Sequence, residues 1–237
     1  MDADRVAALR EVLQPWWAKA STLAAVVRRT PGPGHLLLVG TPRVEPWHLA
    51  AHLDDEARTS GQSQLSPQLI RWRPPADAPS HLSIAMTRLE SVRRGETVFV
   101  VAPDDAPDPL LERVDHARRT GATVVALDAG DGRLGELAHE RMTVTGSGLA
   151  IPASLAAELE RDAEVAADTE VAADTDPGAD LPPEVLAGLH LPASFDLAQH
   201  FVSAAAGVPA DDRRGWRSRL DRLLDVISGP AAPGRGR

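Results

Sequence analysis

The 237-residue sequence contains no cysteine. This absence excludes a disulfide scaffold, a thiolate nucleophile and any zinc or iron–sulfur site with cysteine ligands. The sequence also lacks an apolar run of the ~18–20 residues that a membrane-spanning helix needs. The first ten residues, MDADRVAALR, are acidic and lack the basic region and apolar run of a signal peptide. We therefore expect a cytoplasmic protein with no membrane partner.

A concentrated basic surface, the mark of most nucleic-acid-binding proteins, is missing as well. The net charge is −9, and residues 158–180 alone hold nine acidic residues against one basic residue, Arg161. The chain before this segment is nearly neutral, and basic residues outnumber acidic ones only from residue 211 onward. We expect no nucleic-acid partner.

The acidic segment contains a tandem hexapeptide repeat, EVAADT at 164–169 and again at 170–175. With only valine and alanine to bury, such a repeat cannot offset the entropy of ordering, which predicts a flexible, self-repelling linker over about 158–183. An acidic docking motif is the alternative. The prediction for the whole chain is an α/β domain over 1–150, an acidic linker over 151–183 and a helical tail over 184–237.

Ahead of the linker, apolar strands alternate with helical segments. Three continuous apolar runs, at 35–40, 97–102 and 123–127, are typical of strands buried on both faces. Two mixed runs, at 68–72 and 142–145, suit the edges of a sheet. The pattern predicts a three-layer αβα sandwich with a five-stranded parallel sheet in the order 2-1-3-4-5, a flavodoxin-like arrangement.

Helices are predicted between the strands, each with its own start or stop signal. One begins at Glu45-Pro46-Trp47 and ends at Gly61, and another runs from Asp108, as N-cap, to Gly121. The remaining predicted helices are one or two over 2–29 interrupted at Pro15, one from Ser80 or Ser83 to Gly95, and a short one over 134–140.

After the linker, residues 195–206 and 211–227 show apolar stripes at helical spacing. These helices have four alternative docking sites: the chain's own α/β body, a dimer mate, a groove on a partner protein, or a membrane surface. We expect a homodimer, with the tail available to a protein partner.

The segment RGETVFVVAPDDAPDPLLERVDHARRTGATVVALDAGDGRLGELAHERMTVT, at 94–145, resembles the second half of a sugar isomerase (SIS) domain. The likeness lies in the order of strand, loop, helix and Gly-Ala-x-hydrophobic strand, and it extends over about 16–148. The resemblance implies a phosphosugar ligand, held by hydroxyl side chains and backbone N–H groups in the loops after strands one and three.

Those loops depart from the family pattern. The loop after strand three reads Pro103-Asp-Asp-Ala-Pro-Asp108, in which three carboxylates repel a phosphate and two prolines remove N–H donors. The loop after strand one, Gly40-Thr-Pro-Arg-Val44, keeps one glycine, one hydroxyl and an arginine. We therefore expect a non-catalytic SIS-like protein that acts as a dimerisation, protein-interaction or ligand-responsive regulatory module.

The alternative is a phosphosugar isomerase, or a protein that binds a phosphosugar or related carbohydrate derivative, with a rebuilt site. Its ligand would lie beyond the carboxyl ends of strands one and three. Isomerisation also needs a base, for which Glu45, His81 or a residue of a second subunit are the candidates. The ligand-binding candidates are Gly40, Thr41, Arg43, Ser80, His81, Asp104 and Asp105.

Other patterns of functional residues are incomplete. Gly130-x-Gly-x-x-Gly135 follows a strand but precedes too short a helix for a dinucleotide fingerprint.

His48 and His52, near Asp55 and Glu56, lack the glutamate of a zincin motif, so we expect two histidines on the surface or at a subunit contact. The aspartates at 104, 105 and 108 could hold Mg²⁺, but we interpret them as exposed loop and cap acids, since Asp108 is already explained as an N-cap. No serine stands in a nucleophile elbow. We expect no cofactor and no metal.

Overall fold

The computed structural model describes residues 3–77, 79, 83–144 and 195–208, the first twelve of them as backbone only. Residues 16–144 and 195–208 belong to one compact unit. The predicted linker, its boundary near residue 150 and the predicted helix over 211–227 lie outside the described residues. No helix among the described residues has the length and hydropathy that crossing a membrane requires.

The described sheet has five parallel strands in the order 2-1-3-4-5, as the sequence pattern predicts. Strand β1 lies between β2 and β3, so that Leu38 pairs with Leu69 on one side and Phe99 on the other. The strands are β1 (Leu36–Gly40), β2 (Gln68–Ile70), β3 (Thr97–Ala102), β4 (Thr123–Asp128) and β5 (Glu140–Thr143).

Helices flank this sheet, and most of their bounds follow the start and stop signals of the sequence. Gly61 and Gly121 end two of them in the left-handed conformation, at φ 70° and 95°. The α-helices are α1 (Ala3–Val27), α2 (Trp47–Ser60), α3 (Asp108–Thr120), α4 (Gly132–Leu137) and α5 (Phe195–Ala206). Short 3₁₀ helices occupy Ser63–Leu65 and Met86–Ser91.

Both faces of the sheet are buried, which is why its central strands read as unbroken apolar runs. One face packs against α3 and the 3₁₀ helix at Met86–Ser91, and Val98, Val100 and Val124 contribute to that core. Residues at the alternate positions, such as Phe99 and Val101, point the other way. They too are fully buried.

Three sequence predictions of helices need correction. The segment around Met86 forms a 3₁₀ helix that ends at Ser91, and its buried residues Met86 and Leu89 are spaced by three, the period of that helix. Helix α1 is continuous, with Pro15 inside it. Asp108 is the first residue of α3 rather than its N-cap, a position held by Pro107.

Helix α5 lies against the chain's own body, one of the alternatives left open by its sequence. Phe201 is fully buried and makes an edge contact with Trp17 at 6.0 Å between ring centroids. The Arg28 guanidinium donates a hydrogen bond to the Ala205 carbonyl at 2.6 Å. The Leu49 N–H of α2 donates to the side-chain oxygen of Gln199 at 3.3 Å. These contacts make α5 a part of the core.

Candidate ligand crevice at the carboxyl ends of the strands

The loops after β1 and β3 are joined by a hydrogen bond between side chains. Thr41 is completely buried, and its hydroxyl donates to Asp104 Oδ1 at 2.6 Å. The Thr41 hydroxyl oxygen in turn accepts a bond from the Val44 N–H at 3.3 Å. The only hydroxyl in the β1 loop therefore already has a donor and an acceptor inside the protein, and it is closed to solvent.

The β3 loop has few free N–H groups for an anion. Pro103 and Pro107 have none, and the Ala106 N–H donates to Asp131 Oδ2 at 2.9 Å. Asp131 also caps α4, because its Oδ1 accepts bonds from the N–H groups of Arg133 and Leu134. Burial favours the protonated form of Asp131, but these hydrogen bonds and the Arg133 charge lower the pKa of Asp131 overall.

A shallow crevice of about 350 Å³ lies between the two loops, lined by Pro42, Arg43, Asp104, Asp105 and Pro107. The Arg43 side chain is 84% exposed and stands 4.0 Å from Asp104, too far and too solvated for a strong ion pair. Five of the predicted ligand residues, Gly40, Thr41, Arg43, Asp104 and Asp105, thus lie together at this edge. Ser80 and His81 fall outside the described residues, and their part in the site stays a prediction.

A larger crevice of about 690 Å³ shares Pro42 and Arg43 with the first. Its other lining residues come from the start of α2 and the segment after β2: Glu45, Trp47, Arg71, Trp72 and Arg73. Three arginines and two tryptophans in one open crevice form a surface suited to a ligand with an anionic group and an apolar or sugar face.

The candidate base Glu45 is already engaged in this crevice. Its Oε2 accepts hydrogen bonds from Arg71 Nε at 3.0 Å and from Trp47 Nε1 at 2.9 Å. The Arg71 guanidinium in turn lies over the Trp47 ring, 4.8 Å from its centroid. This arrangement holds Glu45 as a partner of Arg71 and Trp47, with its Oε2 atom already engaged inside the protein.

The neighbouring end of β4 carries an ion pair that the sequence pattern did not single out. Asp128 is completely buried and accepts two hydrogen bonds from Arg141, both at 2.6 Å. The glycine-rich loop after Asp128 leads into α4, which has only six residues. That helix is shorter than the one that a dinucleotide fingerprint requires.

A histidine cluster lies between α2 and α5. His48 and His52 stand one turn apart on that helix, and His200 of α5 approaches both. The Nε2 atoms of His48 and His200 are 3.0 Å apart. Burial lowers the pKa of His52 and of His200, and the neighbouring histidines lower both further.

Sequence reasoning missed three features of these sites. Arg71 and Arg73 flank a tryptophan directly after a strand, a signal that was available in the sequence. Asp128 stands at the end of a continuous apolar strand, which is also a readable position. The approach of His200 to His48 had no local signal, because 152 residues separate the two in the chain.

Comparisons with known proteins identify no family. No protein-family model and no curated protein matches the chain. The crystal structure of a protein from Silicibacter pomeroyi, assigned as a phosphosugar isomerase, is similar with a TM-score of 0.45 and 14% identity. The alignment covers 92% of this chain and 51% of that one, so this chain spans about half its length. A likeness at this level carries no argument about what the chain binds.

Proposed function

We propose that this protein is a non-catalytic SIS-like module, which serves as a dimerising, protein-binding or ligand-responsive regulatory unit. The observation that carries the proposal is the hydrogen bond from Thr41 to Asp104. It joins the two loops that would have to hold a phosphate, and the Asp104 carboxylate would repel an anion bound between them.

The hydrogen bonds of Glu45 support the same proposal, because Glu45 is the candidate base that lies within the described residues. An aldose–ketose isomerase moves a proton between adjacent carbons and needs a group free to accept it. Glu45 is instead hydrogen-bonded to Arg71 and Trp47.

Self-association is the first property to test. Size-exclusion chromatography with light scattering should give the mass of a dimer for the full chain. Because α5 is part of the core, the matched truncation removes residues 209–237 and leaves Phe195–Ala206 in place. A partner captured by the full chain and lost from this truncation would support a docking role for the tail. A strictly monomeric chain with no tail-dependent partner would contradict the interaction proposal.

The second candidate function is binding of a phosphosugar or a similar anionic carbohydrate derivative in the larger crevice. The specific observation in its favour is the group of Arg43, Arg71 and Arg73 beside two tryptophans. Arg71 is held by Glu45, so Arg43 and Arg73 are the residues left for a ligand. Arginine recognises phosphate and carboxylate groups through paired hydrogen bonds.

A thermal-shift screen with hexose, heptose and amino-sugar phosphates tests this second candidate. A ligand at a hundredfold excess over Kd stabilises the folded state by ~2.7 kcal/mol, which the melting temperature reports easily. The double variant Arg43→Gln/Arg73→Gln should lose any shift, whereas Arg119→Gln, an exposed arginine paired with Asp115, should keep it. A shift that both variants retain would place the ligand elsewhere, and no shift at all would remove this candidate.

A further inference from the structure

Three imidazole rings from two helices meet at one point on the surface of the fold. The ring centroids are 4.5 Å apart for His48 and His52, 4.4 Å for His48 and His200, and 4.4 Å for His52 and His200. One ring nitrogen from each histidine can be chosen so that all three lie within 4.8 Å of one another. The rings thus form a nearly equilateral triangle with their nitrogens converging.

The chemistry of this donor set is specific. Neutral imidazole is the commonest metal ligand in proteins and suits zinc, copper, iron and nickel, whereas magnesium and calcium prefer oxygen. In a tetrahedral zinc site with Zn–N bonds of ~2.0–2.1 Å, the ligand nitrogens lie about 3.3 Å apart. The 3.0 Å between the Nε2 atoms of His48 and His200 is close to that value. The His52 ring contributes the third nitrogen, within 4.8 Å of the other two.

The charges around the cluster favour a cation. Asp55 and Glu56 act electrostatically on His52, and Asp196 does so on His200. None of these groups is needed as a ligand, but each carboxylate lowers the free energy of a divalent ion placed among the rings.

The third histidine is positioned by the core, which separates this cluster from an ordinary pair of surface histidines on one helix. Helix α5 is fixed by the burial of Phe201 against Trp17 and by the hydrogen bond from the Leu49 N–H to Gln199. Gln199 directly precedes His200, so the contact with α2 also sets the direction from which His200 approaches. A site whose ligands are held this way loses little conformational freedom when an ion binds.

We propose that His48, His52 and His200 form a binding site for a divalent transition-metal ion of the zinc class, with the fourth position filled by water or an external ligand. Catalytic zinc sites of other proteins use such a set of three protein ligands and one open position. Here the bound ion ties α5 to α2. The site is independent of the crevice at the strand ends and goes beyond the function proposed above.

The test uses the full chain without an affinity tag, after removal of metal with a chelator. Zn²⁺ is titrated calorimetrically, and Co²⁺ serves as the spectroscopic probe because its visible absorption distinguishes tetrahedral from octahedral coordination. We expect one equivalent of either ion, a tetrahedral Co²⁺ spectrum and a higher melting temperature with Zn²⁺. His116→Gln, on the exposed surface of α3, is the matched control and should leave all three unchanged.

The decisive variant is His200→Gln, which leaves the His48–His52 pair intact. Because the loss of groups that merely orient a ligand weakens metal binding by roughly 10–100-fold, the loss of a ligand should weaken it by at least about 100-fold. His52→Gln, which leaves α5 untouched, should do the same, and circular dichroism checks that both variants fold. Unchanged affinity in His200→Gln would reduce the site to a surface pair and overturn the proposal. The absence of saturable binding by the unmodified chain would overturn it equally.

Discussion

Gly40 ends β1 at a point where no side chain fits. A Cβ atom on this residue would clash with the Val44 carbonyl oxygen and lie 2.8 Å from Pro46 Cδ. Both neighbours are held, one as backbone and the other as a proline ring. We predict that Gly40→Ala lowers the free energy of unfolding by about 1–3 kcal/mol, the usual range for overpacking. Urea denaturation followed by circular dichroism measures it.

Gly132 is the control for this substitution. A Cβ there would meet nothing within 4 Å, and the residue opens α4. Gly132→Ala should therefore leave stability unchanged or raise it by about 0.5–1 kcal/mol, since alanine restricts the unfolded chain more than glycine does. Equal effects of the two substitutions would contradict the steric account of the β1 loop.

Glu96 is a buried carboxylate at the start of β3, with 3% of its surface exposed. It accepts bonds from Arg88 Nη2 at 2.6 Å and from the Arg93 N–H at 2.7 Å. Burial alone would raise the pKa of Glu96, but these bonds and the Arg88 charge lower it below the ordinary 4.5. A depressed pKa in the folded state means that Glu96 stabilises the fold above the pKa of the unfolded chain. That contribution is lost as the pH falls through the folded value.

We predict that Glu96→Gln destabilises the protein by about 2 kcal/mol at pH 7, the range for hydrogen bonds to a charged group. The difference from the unmodified chain should shrink as the pH falls below 4.5, because Glu96 is protonated first in the unfolded chain and, at lower pH, in the folded protein. Denaturant titrations from pH 7 to acid measure this. Asp115→Asn, which removes an exposed pair with Arg119, should change stability by less than ~0.5 kcal/mol. A stability difference that grew in acid would show that folding raises the pKa of Glu96 instead of lowering it.

At the scale of elements, the loop after β3 decides whether the strand ends can hold a phosphate. We predict that Asp104→Ser/Asp105→Ser keeps its fold, because the loop is at the surface, and gains at most weak phosphosugar affinity. Two negative charges are removed and hydroxyls are added, but Pro103 and Pro107 still provide no N–H. Calorimetric titration with the phosphosugar panel measures this. Tight binding by the unmodified protein that this double variant abolished would show that the aspartates belong to a working site.

Helix α5 contributes to the core in the same way as the helices between the strands. Phe201 is completely buried, and Phe201→Ala should lower the free energy of unfolding by about 3–5 kcal/mol, the usual loss for a buried aromatic ring. Phe195, the half-buried first residue of the same helix, is the matched control, and Phe195→Ala should cost clearly less. Thermal or urea unfolding of both variants measures the difference. A Phe201→Ala variant as stable as the unmodified chain would show that α5 is not docked.

The strands and their order could be predicted because burial on both faces leaves a local mark, an unbroken apolar run. The helix predicted around Met86 was wrong in type, since Met86, Leu89 and Val92 fit a period of three as well as a longer one. The docking of α5 beside α2 could not be predicted. Its apolar stripe fits any hydrophobic partner equally, and only the complete fold brings Gln199 and His200 against α2.

Within the candidate site, the sequence predicted which residues lie close together but not which hydrogen bonds they make. Thr41, Arg43 and Asp104 were predicted to lie together because β1 and β3 are neighbours with parallel carboxyl ends. Whether the Thr41 hydroxyl faces a ligand or a carboxylate depends on side-chain geometry between the two loops. In the structure this hydroxyl donates to the Asp104 carboxylate. The larger crevice depends on the stacking of Arg71 on Trp47, a contact between residues 24 positions apart.

For the molecule as a whole, the central claim is that the crevice at the strand ends performs no proton transfer. Exchange of a substrate C–H proton with solvent tests it directly, because an isomerase base that removes this proton equilibrates it with water. The full chain is incubated in D₂O with each phosphosugar of the panel, and deuterium incorporation is followed by proton NMR. We expect incorporation no faster than in protein-free controls. Incorporation by the unmodified chain that is lost in Glu45→Gln or in His81→Gln would contradict the account.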